Sequence, residues 1–393
     1  MFWSREPAKV VQVPPLFDFP PLAMRNRMLH SSYDVVFAKL ALTSLFQDYF
    51  EQATHFTRVM LKPIDDPRFD LIIATVSGPL DHKAEESVTG NALFGRQSDA
   101  KDPHSFIDIS VSSSDPILQM RSCTYHPKYG FGAFGVFPLL LKRQSSEHYG
   151  HMGLRYGSEN LSFGVTFSPF AVRDELPKSA RLVSKMGRVT AGVQYEPQQG
   201  NAKLSNLKNW SCAMGYGVGS GSSLYPSFNV GLELVKSSQF VASFYQHMAV
   251  QRQVKNSRDK SIVGITNYID FGFELQTSVD EAIAGNNISD SNFQLGASWQ
   301  ANENFLLKVG SRSSSMAFAF KSWWKPCFTF TISATRDRAD GKMQYGFGIQ
   351  SESLREASYQ RADPNFVTIT PNKSHLAKAR YFEAALPREY KIL

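Results

Sequence analysis

Large apolar residues and small polar residues alternate along most of this chain. In the segment 161–167 the odd positions are large and apolar, whereas the even positions are Ser162, Gly164 and Thr166. The same alternation recurs in the segments 151–157, 189–195, 210–218, 228–234, 269–275, 293–299, 305–309, 328–332 and 343–349. A period of two predicts β-strands that have one apolar face and one polar face. Between about residues 67 and 350 we count roughly 16 such segments, separated by clusters of Gly, Pro, Asn, Asp and Ser.

The period is different at the two ends of the chain. Residues 33–56 contain no Pro or Gly and place Val36, Phe37, Leu40, Leu45 and Tyr49 at near-helical spacing. This spacing predicts an amphipathic helix over 33–56. Residues 1–32 are rich in proline and irregular, and residues 351–393 form a tail of mixed composition in which 374–386 is compatible with a second short helix. The sequence thus predicts four zones: 1–32, 33–56, the β-rich zone 67–350, and the tail 351–393.

The polar positions of the predicted strands favour a barrel over a sandwich. They are rich in Gly, Ser, Thr and Gln, which suit a curved interior lined with water. The strands read as about 9 to 11 residues, the length that a tilted strand needs to cross a bilayer. Aromatic residues lie near the strand ends, as they do in transmembrane barrels. We therefore expect an all-β fold, a transmembrane antiparallel β-barrel of roughly 16 to 19 strands with an N-terminal amphipathic helix. A soluble β-rich binding protein is the alternative, because alternation also fits a sandwich.

Composition and charge exclude several classes of protein. The 393 residues include 42 Lys+Arg and 35 Asp+Glu, a formal net charge of +7, and this modest excess gives no reason to expect nucleic acid as a partner. The longest uncharged apolar stretch, residues 131–141, is shorter than the roughly 20 residues of a spanning helix. Cys123, Cys212 and Cys327 are isolated, so they predict neither a disulfide framework nor a cysteine metal site.

No motif in the sequence indicates catalysis. Residues 130–135 spell G-x-G-x-x-G, but Pro138 and a β-type pattern follow, whereas a dinucleotide site needs a helix there. His148 and His151 are flanked by glycines and have no nearby cysteine, so we expect no metal site. We accordingly expect a protein that is not an enzyme and that carries no cofactor.

Charged residues that share the polar face of the predicted strands are candidates for lining a pore. If the polar face encloses a lumen, these side chains line it, and their excess of positive charge favours anions. The candidates are Arg155, Arg188, Glu233, Asp270, Glu274, Lys308, Arg312, Lys321 and Lys342.

The end of the β-rich zone has the pattern of a sorting signal. Gln344, Gly346 and Ile349 supply a polar residue, a glycine two positions later and a following apolar position. This pattern resembles the signal on the last strand of mitochondrial outer-membrane barrels. Together with a helix followed by many alternating strands, it makes the chain similar to the eukaryotic porin (voltage-dependent anion channel) superfamily, and more narrowly to plant porin-like outer-membrane proteins.

The resemblance implies a place in a membrane and a set of partners. It implies the mitochondrial outer membrane, with the chloroplast outer envelope as the alternative. The implied partners are the lipid bilayer, the outer-membrane sorting and assembly machinery, and small polar or anionic solutes. We expect a channel that conducts these solutes passively. A non-conducting barrel that serves as a receptor or tether is the second possibility.

Overall fold

A computed structural model gives the structure of this protein. It describes residues 10–12, 29–46, 49, 55–61, 66, 68–77, 89–99, 102–114, 116–126, 128–141, 150–158, 160–169, 178–197, 205–218, 227–254, 262–278, 291–301, 305–324 and 328–352. The second short helix predicted for 374–386 lies outside these residues, as does most of the region 1–32.

Two short helices precede the barrel. Helix α1 spans Ser32–Val36 and helix α2 spans Lys39–Phe46. The helix predicted for 33–56 is therefore shorter and divided in two, and residues from His55 onward belong to a strand. Ala38, between the helices, has a left-handed φ of 57°, which turns the chain. A further single turn of 3-10 helix spans Leu207–Asn209.

The remaining elements are β-strands of one sheet. The first ten strands are β1 (Val10–Gln12), β2 (His55–Leu61), β3 (Phe69–Ser77), β4 (Thr89–Asp99), β5 (Asp102–Ser112), β6 (Leu118–His126), β7 (Phe131–Leu140), β8 (His151–Gly157), β9 (Leu161–Phe167) and β10 (Ser179–Met186). The others are β11 (Val189–Tyr195), β12 (Trp210–Val218), β13 (Ser227–Val235), β14 (Gln239–Val254), β15 (Ile262–Ser278), β16 (Asn292–Gln300), β17 (Phe305–Ser311), β18 (Ser315–Trp324), β19 (Phe328–Asp337) and β20 (Met343–Glu352).

Strands β2 to β20 form a closed barrel of 19 strands. Each strand pairs antiparallel with the next one in the chain, and β2 closes the barrel by pairing parallel with β20, in the register His55↔Phe347 to Met60↔Glu352. The parallel pair is a geometric necessity, because an odd number of alternating strands leaves the first and last running in the same direction. The predicted all-β barrel is confirmed. It begins at β2, earlier than the residue 67 that the sequence predicted.

Strand β1 lies outside the barrel's strand order. Its three residues pair parallel with Val263, Gly264 and Ile265 of β15. Strands β14 and β15 are also the longest of the barrel, at 16 and 17 residues, so this addition falls on a part of the sheet that extends beyond its neighbours.

The barrel has two distinguishable ends, which the topology defines. We call the end at which β2 begins the entry end; the turns 312–314 and 338–342 lie there. The opposite end is the exit end, and it carries the β2–β3, β10–β11 and β16–β17 connections.

Candidate functional site

The two faces of the barrel wall have opposite chemistry. On β13, Val230 and Leu232 are exposed, while Gly231 and Glu233 between them are buried. Large apolar side chains that point outward are exposed on every barrel strand except β6. Among the described residues, no second protein layer covers these side chains. The interior is therefore the polar face of the sheet, as the alternation predicted.

Residues 29–46 and Tyr49 lie inside the barrel, and we call them the inner segment. Helix α1 contacts β9, β10 and β11, whereas α2 contacts β15, β16 and β17. Tyr33 and Phe37 are buried in one cluster with Val183 and Ala213 of the wall. Leu42, Leu45 and Phe46 form a second cluster, against which Tyr245 packs. Burial of each such side chain is worth about 1.5–3 kcal/mol, so packing alone holds the inner segment firmly against the wall.

Glycines in the wall make room for the inner segment. A Cβ atom at Gly272 would lie 2.6 Å from Cδ2 of Leu42, and one at Gly296 would lie 3.0 Å from the carbonyl oxygen of Leu45. These two glycines are register partners on β15 and β16. The strands thus present bare backbone where α2 approaches most closely.

Glu233 is the main polar anchor of the inner segment. Its Oε1 accepts a hydrogen bond from the Tyr33 hydroxyl at 3.0 Å and an ion-pair contact from Nζ of Lys39 at 2.6 Å. Four residues earlier on the same face, Nδ2 of Asn229 donates to the Val36 carbonyl at 2.9 Å. A single carboxylate thereby holds both helices to β13.

Three further basic side chains meet the inner segment. Nη2 of Arg155 donates to the carbonyl oxygen of His30, and Nη2 of Arg312 donates to that of Phe46, both at 2.6 Å. Nζ of Lys308 lies 4.7 Å from the ring centroid of Tyr49, a cation–π distance. These cations sit at the two ends of the segment and bind its backbone carbonyls and its last aromatic ring.

The other predicted pore-lining residues fall into two groups. Asp270 and Glu274 of β15 and Lys321 of β18 lie on the inward face of their strands. Arg188 and Lys342 lie in turns and not within strands. Arg188 is exposed and donates to the Tyr216 hydroxyl, and Lys342 extends at the rim of the entry end beside Asp340.

Several inward charges were missing from the predicted set. Asp108 of β5 is 1% exposed and pairs with Arg121 of β6 at 2.9 Å, while Arg181 of β10 is also buried. His247 of β14 is 2.6 Å from Oδ1 of Asp270, which also accepts a hydrogen bond from the Tyr245 hydroxyl. The sequence does indicate that Asp108 faces inward, because the residues on either side of it, Ile107 and Ile109, are apolar and belong to the outward face. Assigning inward and outward positions by this alternation in every strand would have identified these residues.

A cavity of about 340 Å³ opens between the end of the inner segment and strands β17 to β20. It lies at the entry end, because its wall includes the 338–342 turn. The lining residues are Phe46, Tyr49, Gly310, Arg312, Ser315, Ala317, Thr335, Asp337, Lys342 and Gln344. Exposure falls along β20 from Gln344 at the mouth to Gly346 and Gly348, which are buried.

The predicted sorting-signal residues lie on β20, after which no further strand follows in the described residues. Gln344 and Gly346 face inward, and Ile349 lies on the outward parity. The segment is therefore the closing strand of the barrel, paired on both sides by β19 and β2.

Within the described ranges, no helix is long and apolar enough to cross a membrane. Nor do three His, Cys, Asp or Glu side chains there converge in a way that would hold a metal ion. Neither a scan against protein-family models nor a search of curated proteins finds a match to this chain.

Proposed function

We propose that this protein is a membrane-embedded barrel whose lumen passively conducts small polar or anionic solutes. The observation that carries the proposal is the outward face, on which large apolar side chains are exposed around the circumference. Soluble monomers expose contiguous apolar patches of only about 300–600 Å². A bilayer is the environment in which such a surface is stable.

The closed sheet explains how the backbone tolerates lipid. In the part of the chain that the structure describes, every barrel strand is paired on both sides along the length it shares with its neighbours, so this closed part of the sheet presents no edge to hydrocarbon. Outward aromatic residues also lie near the strand ends: Tyr156, Tyr216, Trp299 and Trp324 toward the exit end, and Phe240, Phe293 and Tyr345 toward the entry end. Such belts are typical of the two membrane–water interfaces.

The inward basic residues support a preference for anions. Lys308 and Arg312 lie on or next to β17 and face the interior beside the inner segment. Replacing both by glutamate reverses the local charge, and we expect the reversal potential in a planar bilayer under a salt gradient to shift toward cations. The matched control is Lys208→Glu with Arg188→Glu, two exposed charges in turns. An equal shift in the control pair, or no shift in either, would count against conduction past β17.

A specific observation favours the second candidate, a non-conducting barrel that acts as a receptor or tether. The inner segment packs along the wall from β9 to β17, and many inward side chains, including Arg155, Glu233 and Lys308, are buried. Single-channel recording of the refolded full chain separates the two candidates. Discrete conductance steps support the channel, and a silent bilayer that contains inserted protein supports the tether.

Location is the third part of the proposal. We place the protein in the mitochondrial outer membrane, with the chloroplast outer envelope as the alternative, and we expect the sorting and assembly machinery to insert it by way of Gln344, Gly346 and Ile349. Fluorescence imaging combined with alkaline extraction tests this. Protein that leaves the membrane fraction at alkaline pH would favour the soluble binding protein instead.

A further inference from the structure

The cavity at the entry end combines two cationic groups with several hydroxyl and amide groups. Of its lining residues, Arg312 and Lys342 are positive, Asp337 is negative, and Ser315, Thr335 and Gln344 are neutral and polar. At about 340 Å³ the cavity has the size of a small-molecule site. The chemistry of the lining therefore selects for a solute that carries an anionic group and hydroxyls together.

Arg312 is held in place by the inner segment. Its Nη2 donates to the Phe46 carbonyl at 2.6 Å, which fixes the guanidinium at the end of α2. Its Nε is buried and has no hydrogen-bond partner. Because this Nε has no accessible surface, Arg312 acts on a ligand in the cavity through its positive charge and not through this donor.

Lys342 can reach a ligand from the rim. Its Nζ lies 3.6 Å from Oδ2 of Asp340, but the side chains are 80% and 61% exposed. Exposed ion pairs of this kind are weak, so the ammonium group is able to turn toward an anion in the cavity. Arg312 and Lys342 together would bracket one oxyanion from two sides of the cavity.

Asp337 argues against a bare anion as the ligand. Its Oδ1 accepts the Ala339 N–H at 2.7 Å, and its charge would repel an anion nearby. The same carboxylate is a good acceptor for hydroxyl groups, and Ser315 and Thr335 add two hydroxyls to the wall. A phosphate group at the cations with hydroxyls at Asp337 satisfies every charged group of the lining.

We propose that this cavity is a binding site for a small phosphorylated polyol. The inference deepens the proposed function and rests on it, because it names a solute class that the lumen would take up at its entry end. The barrel wall supplies the charges, and Phe46 and Tyr49 at the end of the inner segment close one side.

Isothermal titration calorimetry on the refolded full chain in detergent micelles tests the site, with glycerol 3-phosphate as the probe. We expect saturable binding of glycerol 3-phosphate, weaker binding of inorganic phosphate and none of glycerol. Lys342→Gln removes the rim cation and should weaken glycerol 3-phosphate binding about tenfold, since a charge-assisted hydrogen bond is lost. Lys208→Gln, an exposed lysine at the same end, is the matched control and should leave binding unchanged.

Asp337→Asn gives a second, independent readout. Removing the negative charge should strengthen the binding of inorganic phosphate while it weakens that of glycerol 3-phosphate. The site is overturned if glycerol 3-phosphate does not bind saturably, if Lys342→Gln binds it as the unsubstituted chain does, or if Asp337→Asn shifts both anions in the same direction. Calorimetry requires no conductance, so a silent bilayer with intact binding would refute the channel and leave the site standing.

Discussion

At the scale of single residues, glycines in the barrel wall determine where the inner segment can approach it. Gly272 faces Leu42 and Leu45 of the inner segment, and a Cβ there would also lie 3.2 Å from the Phe244 carbonyl oxygen. Gly90 of β4 is a strand glycine with no atom within 4 Å of its would-be Cβ. Both glycines therefore lie in β-strands, but only Gly272 is crowded by neighbouring atoms.

This difference predicts opposite outcomes for the same substitution. Gly272→Ala should lower the free energy of unfolding by about 1–3 kcal/mol, because an overpacked contact must shift the inner segment or the wall. Gly90→Ala should be neutral or slightly stabilising, since alanine reduces the entropy of the unfolded chain. Urea unfolding of both variants in lipid vesicles measures the difference. Equal effects at the two positions would mean that α2 does not pack on β15.

Asp66 offers a test of local electrostatics outside the strands. It lies in the β2–β3 connection, where Nε and Nη2 of Arg68 donate to its oxygens at 2.9 and 2.8 Å, and the Arg68 backbone N–H donates as well. These hydrogen bonds lower the pKa of Asp66 to about 2. Because the pKa of Asp66 is lower in the folded state than in the unfolded state, the ion pair's contribution to folding stability is complete above pH 4. That contribution is lost as the pH falls toward 2.

Removing the arginine side chain should return this carboxyl to ordinary behaviour. In Arg68→Gln we expect the pKa of Asp66 to rise toward its usual value near 3.9, measured by NMR titration of the carboxyl carbon. Both groups are solvent-accessible, so stability at pH 7 should change little. A titration midpoint that stays near 2 in the variant would show that the Arg68 guanidinium is not the cause.

At the scale of elements, the break between α1 and α2 is the clearest departure from the sequence prediction. The spacing over 33–56 favoured one helix, yet Ala38 adopts a left-handed φ of 57°. A continuous helix would run straight, whereas the inner segment contacts strands from β9 to β17 along a curved wall. Packing against that wall outweighs a local cost of about 1–2 kcal/mol for a non-glycine residue in this conformation.

A glycine at this position distinguishes a broken helix from a continuous one. Ala38→Gly should raise the free energy of unfolding by about 0.5–1 kcal/mol if φ is positive, because glycine adopts this conformation without strain. In a continuous helix the same change would lower stability by about 1 kcal/mol. The sign of the shift in the urea midpoint decides, and Thr43→Gly, exposed within α2, serves as the helical reference.

At the scale of the whole molecule, local alternation was sufficient to predict the strands and the parity of their faces. The pattern of Leu161–Phe167 reappears in the structure as alternating exposure and burial. The same periodicity could not predict that Glu233 binds Tyr33 and Lys39, residues about 200 positions away. Nor could it show that the strand beginning at His55 pairs with β20, because β2 and β20 are the first and last strands of the barrel in the sequence. Contacts between distant residues that form because the barrel is closed do not produce a periodic pattern in the sequence.

The membrane itself is tested by placing a charge on the outward face. Leu232 lies near the middle of β13 and is 50% exposed, whereas Leu207, in the turn of 3-10 helix at the entry end, is 70% exposed. In a bilayer, Leu232→Arg should cost about 2–4 kcal/mol of unfolding free energy, and Leu207→Arg should cost about 0–1 kcal/mol. In water neither substitution would matter, because both side chains would already be solvated. Equilibrium unfolding in vesicles therefore reports what surrounds the barrel. A larger loss of unfolding free energy in Leu232→Arg than in Leu207→Arg requires hydrocarbon at Leu232. Equal unfolding free energies in the two variants would place that face in water.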